Sequence, residues 1–240
     1  RQNDIENGGE GAPLTPIFHQ LITSKLKLDL PICILNIGGI SNATIIQKLG
    51  KFSNIISKDI GPGNCLIDSW VRKNSKKKFD KNGLLAKAGN CNEIIFEQAQ
   101  ELFENRPAQN TLSFDVNDFD ISFARGLSLE DGAATLTDFT ASVVAKEIIS
   151  FLFTSKNTKF KILLCGGGRK NKVLVEKIRE NISRDLILQN IDEYGVDGDF
   201  VESQAFAFLA IRSILKLPIT FPTTTGCKKP STGGKIINFR

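Results

Sequence analysis

Three glycine loops, each closing a short apolar run, constrain this 240-residue chain more than any other feature. They are Asn36-Ile-Gly-Gly-Ile-Ser-Asn42, Asp59-Ile-Gly-Pro-Gly-Asn64 and Cys165-Gly-Gly-Gly-Arg-Lys-Asn171. Apolar runs of this length bounded by glycine read as buried strands. Glycine has no Cβ, so a turn built from it brings backbone N–H groups close to a ligand, and such N–H groups attract phosphate. One loop of this kind is ordinarily just a turn. Three of them at strand ends in one chain favour nucleotide binding over chance. No Walker A lysine pattern and no GxGxxG opening is present, so the P-loop and Rossmann readings fail.

Around these loops the chain reads as layered α/β. Residues 1–16 are expected to be a glycine-rich loop and residues 17–28 a short helix. The strand Ile32–Asn36 and a second strand over Ala43–Ile46 form a hairpin whose turn carries Gly38 to Asn42. A third strand over Ser53–Ser57 ends at Asp59, Gly61-Pro62-Gly63 makes a tight turn, and Asn64–Lys73 is helical, with Pro62 suited to the helix start. Short helical pieces and polar loops fill 79–128. Helical spacing of Leu136, Phe139, Val143, Ile148 and Leu152 predicts a long helix over 133–153. Strands over 160–165 and 186–190 flank a helix over 171–182, and a helix over 200–215 precedes a Pro/Thr/Gly tail over 218–240. A hairpin followed by β-α-β-α alternation predicts a mixed sheet with flanking helices.

Composition narrows the function classes. Hydrophobic residues make up 41% and charged residues 24% of the chain, ordinary for a globular protein. Its apolar runs are too short to span a bilayer and no segment reads as an export signal, so no membrane partner and a cytoplasmic place are expected. The net charge of +5 is spread, its densest cluster being Arg72-Lys73 with Lys76-Lys77-Lys78. With one Trp and one Tyr for stacking, no nucleic-acid partner is expected. Five cysteines without a CxxC pair read as reduced thiols, and a single histidine, His19, excludes a two-histidine metal site.

From the residues themselves, Asp59 is a loop carboxylate capping the Gly61–Gly63 turn. Asp199 and Glu202 have the spacing of a capping box at the start of the last helix. Asp68, on the helix after the Asp59 turn, reads as a structural or supporting acid.

The order NIGGISN, DIGPGN, TLTDFTA, CGGGRKN and GDFVESQAFAFLA, with the opening GGEGAPLTPIFH, resembles the anhydro-N-acetylmuramic acid kinase family from residue 4 to the end. The resemblance implies an actin/hexokinase-like (ribonuclease H-like) α/β fold of two lobes with ATP between them. Residues 1–30 would be a remnant of the N-terminal lobe and the interlobe connection, and 31–240 the C-terminal kinase lobe. The implied reaction is hydrolytic opening of 1,6-anhydro-N-acetylmuramic acid with transfer of the ATP γ-phosphate to O6, yielding N-acetylmuramic acid 6-phosphate in cell-wall peptidoglycan recycling. Asp59 matches the family's catalytic base. Asn36, Gly38, Gly39 and Asn42 match the loop at the ATP phosphates, and Gly166, Gly167, Gly168 and Asn171 the adenosine side. Gly61, Gly63, Asn64 and Glu202 are expected at the sugar. ATP and Mg²⁺ are the implied cofactors, and a homodimer the implied assembly. Two positions depart from the family pattern: Val116, within Ser113–Asp118, stands where Arg is expected, and Glu10 stands where Gln is usual. The family's Ser/Gly-rich phosphate loop and its His-Gly-Gln segment are not in this sequence. The chain is therefore expected to begin partway through a longer protein and to turn over weakly by itself. The alternative reading is a truncated, inactive lobe serving only nucleotide or sugar binding or dimerisation.

Overall fold

The computed structural model describes residues 1–105, 114–153, 160–183, 185–235 and 237. In chain order the helices and strands are α1 (Gln2–Glu6), α2 (Pro16–Lys25), β1 (Ile32–Ile37), β2 (Ile40–Ile46), β3 (Ile55–Pro62), α3 (Cys65–Asn74), α4 (Leu84–Ala88), α5 (Glu93–Glu104), α6 (Leu129–Phe153), β4 (Phe160–Cys165), α7 (Lys172–Asn181), β5 (Leu186–Asn190), α8 (Val201–Ile214) and α9 (Pro222–Thr225). The described strands form one five-stranded sheet in the order β3-β2-β1-β4-β5. β1 pairs antiparallel with β2 and parallel with β4, and β4 pairs parallel with β5. This is the mixed sheet with flanking helices that the sequence pattern predicts. None of the described helices is long and apolar enough to cross a membrane.

Both faces of the sheet are covered, which is why β1 and β4 read as nearly unbroken apolar runs. Side chains alternate between faces. Cys33, Leu35 and Ile37 of β1 join a core with α3, α6 and α7, through Trp70, Leu136, Ile148 and Leu174. Ile32 and Ile34 face the other way, onto Phe18 and Ile22 of α2 and Val201 and Ala205 of α8. Trp70 of α3 donates to the Leu129 carbonyl at the start of α6 (2.9 Å), tying the two helices on the first face together.

Several local expectations are corrected. The segment 1–16 is not all loop: α1 forms because Asp4 is buried and accepts from the Gly11 amide and the Thr225 hydroxyl, both at 2.8 Å. The β1–β2 turn is Gly38-Gly39 only, since Ile37 already pairs with Ser41. Asn42 is therefore a strand residue. β3 runs on to Pro62, so Asp59 lies inside a strand and Pro62 ends it instead of starting a helix. Pairing with β2 extends β3 past the point where its own apolar run stops, through a bulge between Ser41 and Asn42 that skips Ile60. The third glycine loop closes into a one-turn helix over Gly167–Lys170. The tail contains α9 and a bridge between Thr220 and Ser231.

Candidate active site

β1 and β4 run parallel, and their glycine loops meet at the same end of the sheet. Gly166 has φ +80°, and a Cβ there would lie 2.3 Å from Asn36 Oδ1 and 2.7 Å from the Ile37 carbonyl oxygen. The loop after β4 thus rests on the end of β1, and only glycine permits both the conformation and the approach. The hairpin tip is held in turn by the start of α3. Gly63 and Cys65 N–H donate to the Gly39 carbonyl at 2.8 and 3.1 Å, and Asn64 donates to the Gly38 carbonyl from its backbone (2.8 Å) and its side chain (3.2 Å). The first amide of α3 and the two before it are thereby spent on the hairpin. A Cβ on Gly63 would sit 2.3 Å from the Gly38 oxygen.

Asp59, Asn42, Asn36 and Cys165 occupy one level across β3, β2, β1 and β4. They share the face that carries α2 and α8, because Thr44, two residues away on β2, meets His19 of α2 there and Ser57, two residues away on β3, meets Thr44. Asp59 is half-buried. Burial lifts its carboxyl from the usual carboxylate range to about 6; the Phe114 amide, donating to Oδ2 at 2.8 Å, and the Arg1 charge oppose the rise, while the Glu10 carboxylate adds to it. A carboxyl tuned close to neutral pH is fitted to accept a proton in a reaction. Val116, the first departure from the family pattern, stands near the hairpin tip, its Cγ2 4.0 Å from where a Gly39 Cβ would be. Glu10, the second, acts on Asp59 directly through its charge.

Glu202 is exposed in the first turn of α8; burial pushes the Cys165 thiol up, and the Glu202 charge adds to that rise. The capping box expected with Asp199 does not form: Phe200 is the helix N-cap residue and makes no side-chain cap. Asp199 pairs instead with Arg169 and Lys170.

On the other side of the Gly166–Gly168 loop lies a cleft of about 430 Å³, whose walls include Asn64, Asp68, Phe79, Gly167, Lys170 and Asn171. That volume falls in the range of small-molecule pockets. Asn171 is buried and caps α7, accepting from Leu174 N–H at 3.1 Å. Asp68 has its carboxyl raised, chiefly by burial, and lies 4.0 Å from Arg72. The predicted residues therefore fall in two groups. Asn64, Gly167 and Asn171 line the cleft; Asn36, Gly38, Gly39, Asn42, Asp59, Gly61, Gly63 and Glu202 do not. The two groups are joined by the bonds between the hairpin tip and Asn64, and by Gly166 and Gly168 against Asn36 and Ile37.

One organising residue escaped the sequence reading. Arg169 is 6% exposed and bonds Asp192 (2.6 Å and 2.8 Å), Asp199 (2.6 Å) and the Gly166 carbonyl (3.0 Å), with Asp197 at 3.6 Å. It ties the glycine loop to the segment that leads into α8. The signal was present as three aspartates in eight residues, but nothing local says which cation they surround. The Phe79 wall of the cleft and the Phe114 amide at Asp59 were likewise unsignalled. Among the described residues no three His, Cys, Asp or Glu side chains are grouped to hold a metal, so these residues do not form a magnesium cage by themselves.

The sequence model of the anhydro-N-acetylmuramic acid kinase family matches residues 1–238. Curated proteins of that name are similar over nearly the whole chain. The protein from Pelagibacter ubique (strain HTCC1062) is 50% identical over 99% of this chain and 63% of its own length. Those from Methylorubrum extorquens and Zymomonas mobilis are 40% and 37% identical over 98% of this chain, and 60% and 62% of their own lengths. The chain thus spans between 60% and 63% of the length of these relatives. Among solved structures, an activator of 2-hydroxyisocaproyl-CoA dehydratase from Clostridium difficile with bound ADPNP has a TM-score of 0.40 and 14% identity, covering 79% of this chain and 64% of its own. That likeness is too distant to carry a functional argument.

Proposed function

This chain belongs to the anhydro-N-acetylmuramic acid kinase family, and from that premise we propose that it takes part in ATP-dependent opening and 6-phosphorylation of 1,6-anhydro-N-acetylmuramic acid. The observation that carries the reading is Asp59: a half-buried carboxyl, raised to about 6, on the sheet level where two glycine loops meet. In this reading Asp59 takes a proton from water as the water oxygen bonds to the anomeric carbon. The bond from that carbon to O6 breaks, and O6 receives the γ-phosphoryl group while ADP leaves. A general base contributes roughly 10²–10⁴-fold to such a step.

The remaining assignments follow the same reading. The 430 Å³ cleft with Gly167 and Asn171 in its wall takes the adenosine end of the nucleotide, and the Gly38-Gly39 turn and Asn36 lie toward its phosphates. Gly61, Gly63, Asn64 and Glu202 are placed at the sugar, with Gly61 and Gly63 shaping the backbone. Magnesium, as the companion of ATP, neutralises phosphate charge when bound and takes most of its ligands from phosphates and water. A cytoplasmic homodimer completes the reading by family resemblance.

The test is formation of N-acetylmuramic acid 6-phosphate from the anhydro sugar and ATP by this chain and by its Asp59→Asn variant. The variant is expected to fold and to turn over about 10²–10⁴-fold more slowly. Equal rates in the two would sink the assignment.

A further inference from the structure

Asn42 and Asp59 oppose each other across the β2–β3 pairing, at the bulge that skips Ile60. Opposed residues in an antiparallel pair hold their Cβ atoms about 4.5–5.5 Å apart. Bulges recur beside active sites, where the extra residue re-aims a side chain. The register runs unbroken from Ile46 opposite Ile55 to Asn42 opposite Asp59, which sets Asp59 on the level and the face of Asn42; the bulge lies just beyond the pair, with Ile60 as the extra residue, in the core on the other face.

Asn42 carries an unusual deficit. Asn42 Oδ1 is wholly covered, yet accepts no hydrogen bond from a protein group among the described residues. Asp59 engages the Phe114 amide with Oδ2, and among the described residues its Oδ1 accepts nothing. A covered acceptor left unmet is unfavourable by about 1–3 kcal/mol, so Asn42 Oδ1, opposite a carboxylate with an oxygen to spare, points to a small ligand with two hydrogens to donate. Asn36, the neighbouring amide, is differently placed. Its Oδ1 faces the Cys165 thiol at 3.7 Å and is roofed by Gly166. Asn42 is thus the amide that faces the carboxylate.

We infer that Asn42 is a further catalytic residue, whose Oδ1 and Asp59 Oδ1 each accept one hydrogen of the attacking water. The inference rests on the reading of Asp59 as general base. Water held by both hydrogens presents only lone pairs to the anomeric carbon. As the new C–O bond forms, the hydrogen on the Asp59 side passes to the carboxylate as a proton. The hydrogen on the Asn42 side stays on the new hydroxyl, and O6 departs with its bonding pair to the phosphoryl group. Asp59 then returns its proton to solvent. This moves Asn42 from the phosphate loop, where the sequence placed it, to the reacting water.

The test has a kinetic and a structural arm. Asn42→Leu removes the acceptor at similar volume. Its kcat is expected to fall about 10²-fold, with KM for sugar and ATP within about 3-fold of the parent. Asn42→Asp is isosteric and keeps an acceptor, but sets a second carboxylate opposite Asp59; the acidic limb of its pH–rate profile is expected to move upward. It serves also if the leucine variant does not fold. A parental kcat in Asn42→Leu, or an unmoved profile in Asn42→Asp, overturns the proposal. In the structural arm, a crystal structure of this chain at a resolution that shows ordered water is expected to place one between Asn42 Oδ1 and Asp59 Oδ1. No water there, or a protein donor on Asn42 Oδ1, overturns it independently of activity. A chain that holds this water but makes no product refutes the kinase reading for the chain and leaves the water site standing, so the two failures are distinguishable.

Discussion

Asp59, half-buried, and Arg169, buried, are two charges at the same end of the sheet, treated in opposite ways. Arg169 is nearly enclosed, and its donors reach Asp192, Asp199 and the Gly166 carbonyl, with Asp197 beside them. The bidentate guanidinium holds the Asp192 carboxyl down at about 2. Asp59 has one backbone donor, a carboxylate neighbour in Glu10, and a carboxyl raised to about 6. A buried charge surrounded by partners is built to stay where it is. A half-buried charge whose neighbours do not offset its burial is held at a cost in stability, and the usual reason for such a group is chemistry. The lock fixes the Gly166 loop against the end of β1, two strands from Asp59 on the same level of the sheet.

The comparison breaks most readily at Arg169. Arg169→Met removes the cation shared by three aspartates and leaves Lys170, on Asp199, as the counter-charge among the described residues. Because those aspartates are 37–55% exposed, solvent screens the charges left behind, and the loss in unfolding free energy is expected at about 2 kcal/mol by urea denaturation, for the charged hydrogen bonds removed. A loss under about 0.5 kcal/mol would mean that the lock is not structural.

Asp59→Asn is expected to do the reverse and stabilise. The native pKa is raised, so between pH 3.8 and about 6 the folded chain holds a proton that the unfolded chain has released. Stability then falls as pH rises through that window, and at pH 7 the ionised native state carries the whole penalty. Removing it is expected to raise stability by about 2 kcal/mol at pH 7, with the gain vanishing below about pH 4. Thermal or urea unfolding at both pH values checks this, and a variant less stable than the parent at pH 7 contradicts the contrast with Arg169.

His19 sharpens the same point from the neutral side. Burial depresses its pKa from 6.5 to about 3, and its Nδ1 meets the Thr44 hydroxyl at 2.8 Å. Below pH 6.5 the unfolded chain takes a proton that the folded one refuses, so stability falls as pH falls, by up to about 1.4 kcal/mol per pH unit. Between pH 6 and 3.8 this opposes the Asp59 effect. The slope is therefore best read in the Asp59→Asn background, where it should steepen; an equally flat profile would contradict the burial of a neutral His19.

The smallest expected effect is at Gly167. A Cβ there meets nothing within 4 Å, so Gly167→Ala should change stability by less than about 0.5 kcal/mol. Weakened ADP binding in that variant, measured by calorimetry, would then report contact with a ligand in the cleft. Unchanged binding would remove Gly167 from the nucleotide site.

Much of this molecule was readable before its structure. The strands over 160–165 and 186–190 stand where the apolar runs put them, because a short run between polar and glycine boundaries has no other way to bury its side chains. The helices after them follow from local spacing for the same reason. The boundaries that failed were those set by partners. β3 runs past Asp59 because β2 offers it hydrogen bonds, and α1 forms because Asp4 finds Thr225, 221 residues away.

By itself, then, the sequence determined the layered sheet, the glycine loops at its edge and the family, since each is written in contiguous residues whose periodicity or order is a local property. The tertiary structure decided which face Asp59 occupies, that Asn42 stands beside it, and that Arg169 is the cation among Asp192, Asp197 and Asp199. Register, burial and charge pairing depend on residues 17 to 30 positions apart in these cases. No local pattern encodes them, because they exist only once the chain has brought those residues together.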